Sequence, residues 1–188
     1  HKLKQKLKNG INNLLFSFNR SIFRNFFKVY FYFKCHIHIL NLKYSFSENS
    51  DRITLANGNQ IDLIESSSGI QSIIPLVVVI DAVPKRGSHL FIVEEPELNL
   101  YPTTQKALIE YLIEKCTHGD NRLIITTHSP YILTALNNCI QAKNVVNMHP
   151  ESAGEVEKLV PSKYQLDYQD VAAFYVGGGT AGPIMNEE

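Results

Sequence analysis

The chain has 188 residues, 18 basic and 18 acidic side chains, 44% hydrophobic content and three cysteines. This size and composition fit one globular lobe plus a distinct N-terminal region, and the odd, widely spaced Cys35, Cys116 and Cys139 exclude a disulfide framework and fit a reducing cytoplasm. Stable membrane insertion is not expected, because Arg20, Arg24 and Lys28 break the aromatic stretch before about 18 apolar residues accumulate, and no small-residue cleavage site marks a secretory leader.

Residues 1–47 differ in kind from the rest. They carry nine basic residues, from Lys2 to Lys43, and no acid, so the balanced charge of the whole chain is asymmetric. Phenylalanines and tyrosines from Phe16 to Phe33 lie among them. Such interleaving suits nucleic-acid backbone contact with base stacking, or an interfacial membrane helix. The alternative is the remnant of a helical insertion that covers a neighbouring surface. Cys35, His36 and His38 suggest a metal only weakly, since no second cysteine pair accompanies them and an alternating aromatic run packs well as a strand.

Arg52–Leu55 and Gln60–Ile64 flank Asn57-Gly58, the composition of a tight hairpin. Next come Ser66-Ser67-Ser68-Gly69-Ile70-Gln71-Ser72 and an apolar run from Ile73 to Val83, interrupted by Pro75 and Asp81. Serines and a glycine at a helix start can offer hydroxyls and free N–H groups to a phosphate. An ordinary serine N-cap on a core helix is the other reading.

Leu90-Phe91-Ile92-Val93 reads as a strand buried on both faces of a parallel sheet, and it runs straight into Glu94-Glu95-Pro96-Glu97. Ligand sites in such sheets lie beyond the carboxyl ends of the strands. Of two adjacent acids there, one can hold Mg²⁺ directly or through water while the other orients an attacking water as general base. A strand end closed by two solvated acids is the alternative. Pro102 to His118 reads as a helix, with proline at its first position, Leu108, Ile109, Leu112 and Ile113 on one face, and Gly119 as a stop. Arg122-Leu123-Ile124-Ile125-Thr126-Thr127-His128-Ser129-Pro130 is a second strand with a histidine at its exit. The resulting βαβ unit places Glu95 and His128 on one edge of the sheet.

Beyond it, Asn144–Met148 and Val156–Val160 read as strands, and Asp170–Tyr175 as a short helix or strand. Gly177-Gly178-Gly179-Thr180-Ala181-Gly182 fits a dinucleotide fingerprint in spelling alone. Pro183 follows at once and no amphipathic helix does, so a flexible loop is expected.

A Ser-Ser-Gly-x-Gln helix start, an apolar strand ending Glu-Glu-Pro-Glu-x-x-Leu-x-Pro, and Ile-Thr-Thr-His-Ser-Pro, in that order, resemble the C-terminal half of an ATP-binding-cassette (ABC) ATPase. The likeness is to the soluble branch of RecF, SMC-like and overcoming-lysogenization-defect (OLD) proteins, which includes ATPases of anti-phage and abortive-infection systems. It runs from about Arg52 to about Glu188. It implies an α/β fold, a P-loop NTPase-like parallel sheet with flanking helices, incomplete here, with residues 48–188 as the C-terminal portion of the ATPase domain and 1–47 as the remnant insertion.

The resemblance also implies roles. Ser67, Ser68, Gly69 and Gln71 fall in the signature motif, which in this family caps the γ-phosphate of ATP held by a partner subunit. Glu94 takes the Walker B position that holds Mg²⁺, where many relatives have Asp. Glu95 matches the general base and His128 the switch histidine. Leu98 to Tyr101 occupy the D-loop, with Tyr101 where OLD-like proteins often have His. The partners implied are a second copy or a partner ATPase subunit, with a nuclease effector and DNA beyond it. No glycine here is followed by lysine, so the P-loop that supplies most phosphate contacts is missing and the chain reads as a fragment. The competing reading is a non-hydrolytic module that lends its signature surface to another ATPase or binds nucleic acid through the basic arm.

Overall fold

The computed structural model describes residues 14–16, 32–47, 50–84 and 87–184. Most of the basic aromatic segment, with Lys2, Lys4, Lys6, Lys8, Arg20, Arg24 and Lys28, lies outside the described residues, as does Asn186-Glu187-Glu188. The chain divides into two units, residues 1–132 and 133–188.

In the first unit, β1 (Leu14–Phe16) precedes β2 (Tyr32–Ile37), β3 (Leu42–Ser47), β4 (Ser50–Thr54) and β5 (Gln60–Asp62), which form a four-stranded antiparallel sheet in chain order. Helix α1 (Ser68–Ala82) follows, then β6 (Leu90–Glu94), α2 (Pro102–Cys116) and β7 (Arg122–Thr126). Strands β1, β6 and β7 form a parallel sheet in that order, with Leu14 paired to Phe91 and Glu94 to Thr126. The fold is α/β, a parallel sheet with flanking helices.

The apolar spacing of the sequence explains the packing. Ile37, Leu42, Tyr44 and Ile53 of the antiparallel sheet form one buried cluster with Ile73, Ile74, Val77 and Val78 of α1. Alternation along β3 puts Leu42 and Tyr44 inward and Lys43 outward, as a sheet with one covered face requires. The buried Tyr44 donates its hydroxyl hydrogen to Asp51, so its polar tip is satisfied without leaving the core. Pro75 sits inside α1. It has no N–H for the carbonyl of Gln71, and the helix continues because seven of its residues are buried.

Helix α2 buries Gln105, Leu108, Ile109, Leu112, Ile113 and Cys116, one face at 3.6-residue spacing. Proline at its first position and Gly119 at φ +64° bound it as the sequence indicates, although it ends at Cys116 rather than His118. Strand β6 buries Phe91 and Val93. Strand β7 is different: Ile124 is 49% exposed, so the second face of this strand is open rather than covered.

The first unit also departs from the sequence reading at residue 47. Over Tyr32–Ser47 the backbone is strand with a short 3-10 turn, the strand that the alternating aromatic run indicates rather than a helix of an insertion, and the β3–β4 pairing carries the sheet across Ser47. Cys35 and His36 belong to β2 and His38 to the turn after it. Alternation of aromatic with polar residues is the period of a strand, and that local pattern prevails.

Helix α3 (Pro130–Met148) leads into the second unit, followed by α4 (Ala153–Leu159), β8 (Phe174–Gly177) and β9 (Thr180–Pro183). Two strand expectations are corrected here. Asn144–Met148 is the last part of α3 and Val156–Val160 falls mostly in α4. Two adjacent valines carry too weak a β preference to end a helix that no proline or glycine interrupts. Asp170 closes a 3-10 turn and Phe174 opens β8. The glycine run is no loose loop: β8 and β9 pair antiparallel across Gly178 and Gly179, whose φ values of +58° and +78° are those of a two-residue hairpin turn. No helix among the described residues is long and apolar enough to cross a membrane.

Candidate functional site

The parallel pairing of β6 with β7 brings their exits side by side. The Glu95 N–H donates to the Thr126 carbonyl at 2.9 Å, extending the ladder one residue beyond β6. Glu95 itself has φ +43°, a left-handed conformation that a residue with a Cβ adopts at a cost of roughly 1 kcal/mol. The turn is closed by the Leu98 N–H on the Glu95 carbonyl, at 3.2 Å, and by the buried ring of Pro96. It places the Glu95 carboxylate 3.2 Å from Nε2 of His128. The two residues singled out as base and switch are thus in direct contact, although 33 positions separate them. The His128 side chain is 89% exposed and that of Glu95 40%, so the pair faces solvent.

Glu94, the last residue of β6, is exposed at the same edge. Among the described residues no group of three or more His, Cys, Asp and Glu side chains is placed to hold a metal. Mg²⁺ does not need one, since it keeps several waters and binds through one or two carboxylates plus substrate phosphates. Adjacent exposed carboxylates at a strand end fit that mode, and Glu94 is the one not engaged by His128.

The signature residues form a second cluster. Ser67 is the N-cap of α1, its hydroxyl accepting from the Ile70 N–H at 3.4 Å and its carbonyl from the Gln71 N–H at 3.0 Å. The serine cap therefore exists as the plainer reading describes. The Gln71 amide folds back and donates to the carbonyls of Ser66 at 2.8 Å and Ile64 at 3.1 Å. Gly69 is buried, and a Cβ there would lie 2.6 Å from the Asn99 carbonyl oxygen and 3.1 Å from Leu100 Cδ2. Only glycine lets the start of α1 approach the loop after β6 so closely. Ser67, Ser68, Gly69 and Ile70 line an open cleft of about 530 Å³ with Leu40 and residues 99–102 and 104. Gln71, Glu94, Glu95 and His128 are not among its walls.

Four polar residues that sequence reading passes over connect the loop after β6 to the loop after β7. One oxygen of Glu97 accepts from Thr127 Oγ1 at 2.7 Å and from the His128 N–H at 2.8 Å. Its other oxygen is buried without a hydrogen-bond partner. Gln105, 7% exposed, donates to the Leu100 carbonyl at 2.9 Å and accepts from the buried Ser129 hydroxyl at 2.6 Å. A signal existed for Gln105, a polar residue in register with the apolar stripe of α2. Glu97, Thr127 and Ser129 carry no such mark in the sequence.

Over 107 residues the chain is 26% identical to "Retron Vc95 probable ATPase" of Vibrio cholerae serotype O1 biovar El Tor, an alignment covering 52% of this chain and 20% of that protein. The chain thus spans about a fifth of the length of this curated relative. A solved structure from a study of ATP-driven dimerization and DNA-stimulated activation of SMC ATPases superposes with a TM-score of 0.42 at 9% identity, over 72% of this chain and 63% of that one. Residues 1–133 match the AAA ATPase domain family, and with well over half of its length in that match the chain belongs to this family.

Proposed function

We propose that the chain is part of an ABC-type ATPase of the OLD, RecF and SMC-like branch, which binds ATP with Mg²⁺ and hydrolyses it in a head-to-tail dimer. The observation that carries this reading is the Glu95 carboxylate 3.2 Å from His128 at the exits of two parallel strands. Glu95 accepts a proton from water as that water's oxygen attacks the γ-phosphorus. The bond from the γ-phosphorus to the bridging oxygen breaks, and ADP leaves with the electron pair. His128 places the water and contacts the γ-phosphate. Glu94 would hold Mg²⁺, directly or through water, and the ion would supply charge neutralisation at the phosphate oxygens. P-loop contacts come from outside these residues.

Ser67, Ser68 and Gly69 act in trans in this reading. Their cleft is separate from the acid–histidine pair, as expected of a surface that caps a nucleotide seated on another subunit, and Gln71 braces it from behind. A DNA-directed output, in repair or phage defence, with a nuclease effector as partner, rests on the family resemblance alone. The test is Glu95→Gln in the intact native protein. ATP and Mg²⁺ should still bind and turnover should be lost, with a nucleotide-trapped dimer accumulating; turnover at the parent rate would sink the assignment.

A further inference from the structure

We infer that Glu97 is a positioning residue, whose carboxylate fixes where His128 stands relative to Glu95; this rests on the hydrolytic reading just given. The His128 ring is 89% exposed, so no packing wall orients it and its place depends on its own backbone. That backbone is anchored at its N–H, 2.8 Å from Glu97 Oε1. The same oxygen accepts from Thr127 Oγ1 at 2.7 Å, and Thr127 Oγ1 in turn accepts from the Ser129 N–H at 3.0 Å. Residues 127, 128 and 129 are therefore all referenced to one carboxylate oxygen.

Glu97 belongs to the turn that carries Glu95. The Leu98 N–H closes on the Glu95 carbonyl and the Leu100 N–H on the Glu97 carbonyl, at 3.2 and 3.1 Å. Acid and histidine are thus set by a single short loop, which holds the second of them across thirty residues of sequence. A side chain that merely filled space would not gather two donors, Thr127 Oγ1 and the His128 N–H, on one oxygen.

The experiment compares Glu97→Leu, Glu97→Gln and Glu95→Gln in the intact native protein, by steady-state ATP hydrolysis with Mg²⁺ and by hydrogen exchange of the His128 amide. Leucine removes the acceptor and glutamine keeps one. Expected for Glu97→Leu are a fall in kcat of the order of 10- to 100-fold with KM nearly unchanged, as for loss of alignment rather than of binding, and faster exchange at His128. Glu97→Gln should recover both. Parent-like kcat in Glu97→Leu beside an inactive Glu95→Gln would overturn the role of Glu97 and leave the hydrolytic reading standing. Normal turnover by Glu95→Gln would remove that reading instead, and unchanged His128 protection in Glu97→Leu would still refute the anchoring. Should the leucine variant fail to fold, Glu97→Ala, which also removes the acceptor for the His128 N–H, takes its place with the same readouts.

Discussion

The acid–histidine pair at the exits of β6 and β7 and the serine–glycine start of α1 meet the two ends of one loop, Glu95 to Tyr101, yet they are built on different principles. At the first, side chains do the work: Glu95 and His128 touch each other, and Glu97 and Thr127 hold them from behind. At the second, Ser67 caps α1 and Gln71 braces the turn before it, and the close approach of Gly69 to Asn99 and Leu100 shapes the cleft. The first region presents charged and polar side chains that contact one another. The second is a surface that offers contacts outward. The hydrolytic function proposed above, with a partner's surface completing the centre, calls for both kinds.

Glu95→Gln is the sharpest way to break this comparison. Loss of a general base costs about 10²- to 10⁴-fold in turnover, while nucleotide binding, which does not need the proton acceptor, should change little. An equal loss in Ser68→Ala would mean that the two regions do the same job. Single-turnover hydrolysis beside equilibrium nucleotide binding separates the outcomes.

Gly69→Ala tests the second region by steric pressure alone. The new Cβ would stand 2.6 Å from a backbone carbonyl oxygen, and Asn99, which bears that oxygen, is already left-handed at φ +62°. Backbone must move, and overpacking of this kind costs roughly 1–3 kcal/mol. Chemical denaturation should show that loss. A variant as stable as the parent would mean that the loop yields freely and that Gly69 has no steric role.

These two variants also mark what the sequence made legible. The unit β6–α2–β7 could be read because each boundary carries its own chemistry: an apolar run ending in acids, Pro102 at a helix start, and Gly119 where φ turns positive. Glu95 and His128 could be read because they stand at strand exits, and parallel pairing then fixes their proximity. Glu97, Thr127 and Ser129 were opaque because their hydrogen bonds join residues 24 to 31 positions apart, and a polar loop residue looks the same whether solvated or clamped. Val145-Val146 misled for the opposite reason. A local β-branched pair speaks for strand, but the preference is worth little inside a 19-residue helix.

Ser129→Ala sharpens the comparison at lower amplitude. Its hydroxyl donates to Gln105 and accepts from the Tyr131 N–H at 3.2 Å, so the substitution removes both the clamp on α2 and the cap of α3. A lost cap with a buried acceptor left unpaired costs about 1–2 kcal/mol. Because Glu97 still holds Thr127 and His128, turnover should fall less than in Glu97→Leu. If the order were reversed, the clamp through Gln105 and not the one through Glu97 would govern the histidine.

The smallest effect belongs to Cys116, which lies on the buried face of α2 and away from both regions. Burial, and secondarily the negative charge of Asp81, push its thiol up from 9.0 to about 12. The native state therefore keeps a proton that the unfolded chain gives up, so this contribution to stability is complete below pH 9 and declines as pH rises from 9 toward 12. At pH 10 the loss should be about 1 kcal/mol, and at neutral pH nothing. Cys116→Ala should flatten this alkaline slope while lowering stability at every pH by the cavity it leaves. An unchanged slope would assign the alkaline loss to other groups. Rapid alkylation of native Cys116 at pH 8 would contradict the burial itself, since the thiolate is the nucleophile and a protonated thiol at 0% exposure presents none.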